Sequence, residues 1–131
     1  MENIAKDFHS EGFHPSKNTN FNSTFLKNIV NVAHLCDWEI CGAATQDKLY
    51  FFKNLSATPK ETFYIAPSDY FKIYKNIIFL FHSHCLGSAA PSEAELKIAQ
   101  ESSLGSLIYS VPEKNFSFYD PKREKLIYFC L

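Results

Sequence analysis

The segment from His82 to Glu95 contains metal-binding residue types at a spacing that can bring them together. Side chains two residues apart in a β-strand point to the same face, so His82 and His84 are predicted to present neighbouring imidazoles. Zinc binds imidazole nitrogen and carboxylate oxygen, and a catalytic zinc site has three protein ligands and a fourth position for water. Glu95 follows a Gly-containing turn and lies in the first turn of a predicted helix, where it supplies the third ligand. The segment therefore predicts a zinc site.

Ser92 and Glu95 also have a second interpretation, which needs no metal. Ser-x-x-Glu at the start of a helix is a capping box, in which each side chain accepts a hydrogen bond from the other residue's backbone amide. Such a cap stabilises the helix by about 1 kcal/mol. An isolated His-x-His at the end of a strand is more often structural than metal-binding. The residues themselves leave both interpretations open.

Glu39, in the segment WEICG, is the candidate general base. A zinc-dependent hydrolase needs a group that takes a proton from the attacking water, with a pKa close to the working pH. An acidic residue in an apolar strand is costly to bury unless it faces a polar site or has a raised pKa. The alternative is that Glu39 lies on a solvated face of the sheet.

Apolar periodicity and turn residues predict the elements that must position these groups. One amphipathic helix is predicted over residues 21–36 and a short helix from Pro67 and Ser68, with a third helix after Pro91. The predicted strands are residues 38–45 and 48–52, which form a hairpin, then 77–81, 106–111, 115–120 and 125–130. This order predicts a mixed sheet with helices on its faces.

Composition limits the domain organisation and the partners. The 131 residues are enough for one core, so we predict a polar leader over residues 1–18 and a single domain over residues 19–131. The net charge of -1 and the lack of a basic cluster argue against nucleic acid as a partner. Neither a signal peptide nor a membrane span is apparent, which predicts a cytoplasmic location.

The four cysteines are predicted to be free thiols, mostly buried: Cys36, Cys41, Cys85 and Cys130. His9, His14 and His34 receive no role.

The order Glu39, His82, His84, Ser92, Glu95 resembles the motif of the JAMM (MPN+, Mov34/JAB) metalloproteases. That motif is a strand Glu, then His-Ser/Thr-His, seven residues, Ser, two residues and Asp. The segment WEICGAA is similar to the family's Glu-x-Cys-Gly strand. The segment FLFHSHCLGSAAPSEAELKIAQESSLGSLIYSV is similar to the prokaryotic JAB branch, which includes JAB domains of phage tail assembly proteins. The resemblance covers most of the chain from about residue 21 onward.

The resemblance implies a single-domain α/β fold of the JAB/MPN type, which is cytidine-deaminase-like, with a mixed β-sheet flanked by helices. His82, His84 and Glu95 would be the ligands of Zn²⁺, Glu39 the general base, and Ser92 the residue that supports the oxyanion. The implied activity is a zinc-dependent peptidase or isopeptidase acting on a peptide or protein, in phage tail assembly or peptide processing. Phage tail proteins or a separate NlpC/P60-type peptidase are the implied partners, in the host cytoplasm or the virion tail.

Two departures from the motif support an alternative. Glu95 stands where the family has Asp, so with its extra methylene group the side chain must fold back or bind the metal with altered geometry. Cys85 replaces the usual Pro after the second histidine and adds a thiol that could bind metal or oxidise. The alternative is a catalytically impaired JAB-fold module that serves as a structural component of a phage tail tip.

Overall fold

Six strands form one mixed sheet in the computed structural model, which describes residues 23–131. They are β1 (Cys41–Ala44), β2 (Leu49–Phe52), β3 (Phe79–His84), β4 (Gly105–Ser110), β5 (Asn115–Asp120) and β6 (Lys125–Phe129). Their order across the sheet is β2-β1-β3-β4-β5-β6, in which β3 and β4 run parallel and every other neighbouring pair runs antiparallel. The helices are α1 (Ser23–Leu35), α2 (Pro67–Ile73) and α3 (Glu93–Ser102), and a 3-10 turn over Tyr74–Asn76 follows α2.

Helix α1 covers one face of the sheet. Its apolar residues recur at intervals of three and four, which places Phe25, Ile29 and Ala33 on one side of the helix, and all three are buried. They pack against the apolar side chains that β3, β4 and β5 direct to the same face. The sheet contributes Phe79, Phe81, Leu107, Tyr109, Phe116 and Phe118 to this core. Burying a large apolar side chain stabilises the fold by about 1.5–3 kcal/mol, so this layer holds the sheet in place.

Helix α3 joins the parallel strands β3 and β4. Parallel neighbours require a crossover connection, and here that connection passes over the face of the sheet opposite α1. Alternation along β3 directs Phe79 and Phe81 toward α1 and directs His82 and His84 toward α3. The crossover therefore brings the start of α3 against the end of β3.

The predicted helices, hairpin and terminal strands are confirmed, with shifted bounds. The ladder of β3 begins at Phe79 and continues through His84, which pairs with Ser110, so both histidines lie within the strand. The first predicted strand starts later than expected, at Cys41. Before that point the Ile40 amide bonds the side chain of Ser83 and the Glu39 amide bonds the Pro59 carbonyl, so the regular ladder is interrupted.

The cysteines are free, as predicted, but the expectation that they are mostly buried is wrong. Cys41 is buried, Cys36 and Cys85 are partly exposed, and Cys130 is exposed. Cys130 follows the end of the edge strand β6 and is exposed, so it fills no core space. Each helix described here is too short or too polar to cross a lipid bilayer. The predicted leader over residues 1–18 lies outside the described residues, as do His9 and His14.

Candidate metal centre

Strand β3 fixes two imidazoles side by side. It lies in the middle of the sheet, hydrogen-bonded to β1 on one side and β4 on the other, so its backbone is held on both edges. His82 is 3% exposed and His84 is partly exposed. Their Nε2 atoms lie 3.2 Å apart, and both face the start of α3.

Glu95 caps α3 and reaches the histidines at the same time. The Ser92 Oγ accepts a hydrogen bond from the Glu95 amide at 3.1 Å, and Glu95 Oε1 accepts one from the Ser92 amide at 2.8 Å, which completes the capping box. The other carboxylate oxygen, Oε2, lies 2.9 Å from His82 Nε2 and 3.2 Å from His84 Nε2. The two interpretations of Ser92 and Glu95 are therefore compatible, because each oxygen of one carboxylate serves one of them.

The tautomer of His84 is set by the loop that follows β3. His84 Nδ1 lies 2.7 Å from the Ser88 carbonyl oxygen, which can only accept, so Nδ1 carries the proton. In the neutral ring Nε2 then presents a lone pair toward Glu95 Oε2 and His82 Nε2. Lone pairs this close to a carboxylate oxygen repel one another unless a proton or a cation lies among them.

The three donor atoms have the spacing of metal ligands. Zinc bonds of about 2.0–2.1 Å in tetrahedral geometry separate the ligand atoms by about 3.3–3.4 Å. The corresponding separations here are 2.9, 3.2 and 3.2 Å, so a small outward movement of the ligand atoms accommodates the ion. Among the described residues, this is the one group of three or more His, Cys, Asp or Glu side chains that converge closely enough to hold a metal ion. Cys85 does not belong to it.

The electrostatics of the cluster favour an ionised Glu95 and a neutral His82. Burial would raise the pKa of Glu95, but its close contacts with the rings of His82 and His84 and the hydrogen bond from the Ser92 amide hold the pKa well below its usual range. Burial lowers the pKa of His82 despite its bond to Glu95. For His84 burial also acts downward, but the bonds to Glu95 and the Ser88 carbonyl outweigh it and raise the pKa. The carboxylate is thus ionised, and the buried His82 favours its neutral form.

Glu39 lies beside this cluster. Glu39 lies two residues before Cys41, which pairs with His82, and its carboxyl is close enough for His84 and Glu95 to act on its pKa. Glu39 is 4% exposed, and its Oε1 has no hydrogen-bond partner in the described structure. Burial raises its pKa to about 7, with a smaller upward effect of Glu95 and a downward effect of His84. The alternative of a solvated position for Glu39 is excluded, and the structure brings the five predicted site residues together.

The loop between β2 and α2 contributes two residues that support the site, one beside Glu39 and one beside His82. Neither residue was predicted from the sequence. The Asn54 side chain donates to the carbonyls of Glu39 at 2.8 Å and Thr62 at 3.0 Å, so it ties the loop to the residue carrying the candidate base. Phe63, in the same loop, places its ring 4.4 Å from the ring of His82. This aromatic contact covers one side of His82 and contributes to its burial.

The Ser83 hydroxyl on the sheet also supports the site. Ser83 lies between the two histidines, points to the opposite face and accepts a hydrogen bond from the Ile40 amide at 2.9 Å. This bond connects β3 to the residue after Glu39.

His34, to which no role was assigned, bonds the Tyr109 hydroxyl at 2.8 Å and joins α1 to β4 away from the cluster.

The described architecture has counterparts among solved structures. The sequence matches no family model and no curated protein. The solution structure of protein DSY2949 from Desulfitobacterium hafniense is similar at a TM-score of 0.58 and 22% identity, covering 82% of this chain and 86% of that chain. The crystal structure of AF2198, a JAB1/MPN domain protein from Archaeoglobus fulgidus, is similar at a TM-score of 0.54 and 20% identity, covering 81% of this chain and 92% of that chain. The α/β fold predicted for this chain, of JAB/MPN type, is thereby confirmed.

Proposed function

We propose that this protein is a zinc-dependent peptidase or isopeptidase of the JAMM type that hydrolyses an amide bond in a peptide or protein. The observation that carries the proposal is the convergence of two imidazole nitrogens and one carboxylate oxygen within 3.2 Å of one another. Two histidines and a glutamate are a ligand set that catalytic zinc uses in peptidases. The JAB/MPN fold and the ordered motif residues support the same assignment.

His82, His84 and Glu95 would hold the zinc. When bound there, zinc supplies Lewis-acid polarisation of an amide carbonyl and lowers the pKa of water. Glu39 takes the proton of the attacking water and delivers it to the leaving amine. A carboxyl group whose pKa is about 7 is matched to both transfers near neutral pH.

Ser92 is assigned to the oxyanion. Its hydroxyl oxygen accepts a hydrogen bond from the Glu95 amide, which fixes the oxygen and leaves its hydrogen able to donate. Ser92 is exposed at the start of α3, beside the carboxylate that faces the histidines. A substrate carbonyl approaching the cluster would therefore meet this hydroxyl.

The geometry of Glu95 favours an active site over an impaired one. The alternative of a structural phage tail component rests on the replacement of the motif's Asp by Glu and on Cys85. Despite its extra methylene group, Glu95 places Oε2 within 3.2 Å of the Nε2 atoms of both histidines. A role in phage tail assembly or peptide processing, with tail proteins or a separate NlpC/P60-type peptidase as partners, is the cellular part of the proposal.

The metal content of the purified protein tests the ligand set. Plasma mass spectrometry of the untagged wild type should find about one zinc per chain, and His82→Ala and Glu95→Ala should each lose it. His34→Ala is the matched control, because His34 bonds Tyr109 and lies away from the cluster. A wild type that takes up no zinc when it is supplied would overturn the proposal.

Peptide cleavage then separates the active enzyme from the impaired module. Zinc-loaded wild type is incubated with a peptide mixture and with isopeptide-linked peptides, and the new termini are identified by mass spectrometry. Wild type should produce termini that a chelator suppresses and that Glu39→Gln, which keeps its zinc, does not produce. Full zinc occupancy without any cleavage would favour the structural module.

A further inference from the structure

Three consecutive carbonyls of the loop after β3 each accept a hydrogen bond from a side chain. The Ser88 carbonyl accepts from His84 Nδ1 at 2.7 Å. On one side of it the Gly87 carbonyl accepts from the Ser110 hydroxyl at 2.8 Å, and on the other side the Ala89 carbonyl accepts from the Ser117 hydroxyl at 2.6 Å. The carbonyl that orients His84 is therefore flanked by two carbonyls that the sheet holds.

The two serines are fixed points of the sheet. Ser110 ends β4 and Ser117 lies in β5, and both are fully buried. The register pairs Ile108 with Ser117, so Ser110 and Ser117 lie diagonally to each other on the face that carries the histidines. A buried hydroxyl must find a partner, and in these apolar strands the loop carbonyls are the acceptors.

The loop has little else to hold it between its two ends. Leu86, Gly87 and Ser88 are exposed, and a side chain at Gly87 would meet no atom within 4 Å. Ala89 is buried and marks where the loop returns to the sheet. The Ser110 hydroxyl thus holds an exposed residue that packing leaves open, and the Ser117 hydroxyl holds the buried residue at which the loop returns to the sheet.

We propose that Ser110 and Ser117 are positioning residues for the ligand His84. By fixing the carbonyls on both sides of Ser88, they place its carbonyl where it retains the proton on His84 Nδ1 and leaves Nε2 free to bind metal. The metal part of this inference rests on the proposed function. A partner that fixes the tautomer of a ligating histidine commonly changes metal affinity by 10–100-fold when it is altered.

Ser110→Ala and Ser117→Ala test the inference with two measurements. The first is the zinc dissociation constant, obtained by competition with a chelating dye, which should rise about tenfold in each variant. The second is the pair of ¹⁵N shifts of the His84 ring in metal-free protein at alkaline pH, assigned by their loss in His84→Gln. Wild type should show the Nδ1–H tautomer, and each serine variant should show a mixture of tautomers.

Leu107→Val is the control for a general loss of stability, because Leu107 is buried in β4 and belongs to the core under α1. It should leave both the zinc affinity and the ring tautomer as in wild type. Serine variants that keep the wild-type tautomer and zinc affinity would overturn the inference, as would a Leu107→Val variant that reproduces their changes. If wild type binds no zinc, the proposed function fails, while the tautomer of the metal-free proteins still decides whether the serines position His84.

Discussion

Replacing Glu39 by Gln should stabilise the metal-free protein at high pH relative to low pH, and it removes the proposed general base. Glu39 is buried, and burial raises its pKa from 4.5 to about 7. A pKa of about 7 in place of 4.5 means that ionising this group costs about 3 kcal/mol more in the folded state than in the unfolded chain. Gln has almost the same volume and carries no charge, so the variant avoids this penalty.

The sign of the pH dependence follows from which state binds the proton. Between pH 4.5 and about 7 the folded protein keeps a proton on Glu39 that the unfolded chain has released. The free energy of unfolding therefore falls as the pH rises through this window, and the loss is complete above it. The titrations of His82, His84 and Glu95 also contribute, but they are present in both proteins, so the difference between wild type and Glu39→Gln largely isolates Glu39.

Urea unfolding of chelator-treated protein at about pH 5 and about pH 9 measures this difference. Burying the Gln amide adds a cost of about 1–3 kcal/mol that is the same at both pH values. On top of that offset, Glu39→Gln should gain about 2.5 kcal/mol relative to wild type between the two measurements, because the unfolded wild-type chain has already released part of this proton at pH 5. An equal stability difference at both pH values would refute the raised pKa and with it the argument for Glu39 as a base tuned to neutral pH.

Two further predictions separate capping from metal binding and test the packing of the sheet. Glu95→Gln keeps a capping box, since Gln serves as well as Glu at that position, but loses the anionic ligand, whereas Ser92→Ala loses the cap and keeps the carboxylate. Zinc titration should show that Glu95→Gln no longer binds zinc and that Ser92→Ala still does. Thermal unfolding should show that Ser92→Ala is less stable by about 1 kcal/mol. The reverse pattern would contradict the assignment of Glu95 as a metal ligand and Ser92 as the helix cap. Gly42→Ala would place a Cβ 2.0 Å from the Tyr50 carbonyl oxygen and 2.3 Å from the Phe81 ring. The free energy of unfolding, measured with urea, should therefore fall by about 3 kcal/mol or more. A decrease of less than about 1 kcal/mol would contradict the close packing.

The sequence predicts those parts of the fold that depend on local periodicity. The stripe of α1, the turn between β1 and β2, and the strands β4 to β6 follow from apolar spacing and turn residues, and the structure confirms them. The extent of β3 was not predictable from its apolar run, because His82 and His84 are polar and are held in the ladder by neighbours distant in sequence. Tertiary pairing, not local preference, sets that boundary.

The supporting residues of the site escaped prediction for the same reason. Ser110 and Ser117 interrupt apolar strands as many serines do, and their acceptors lie 23 and 28 residues away in sequence. Asn54 lies in a polar loop where its side chain has no distinctive pattern, although it bonds the backbone of Glu39. A serine within an otherwise apolar strand is the one signal that could have drawn attention to Ser110 and Ser117, because a buried hydroxyl needs a hydrogen-bond partner.

The replacement of Asp by Glu in the motif is explained by the two oxygens of Glu95. The longer side chain loses more conformational freedom when it is fixed, which by itself weakens a metal ligand. Here the Ser92 amide fixes Oε1, so part of that freedom is already lost before Oε2 meets the histidines. The cap also places the carboxylate at the positive end of the α3 dipole, which keeps it ionised. In this chain the additional methylene is therefore offset by the helix cap, and the departure from the motif is no evidence by itself of a lost activity.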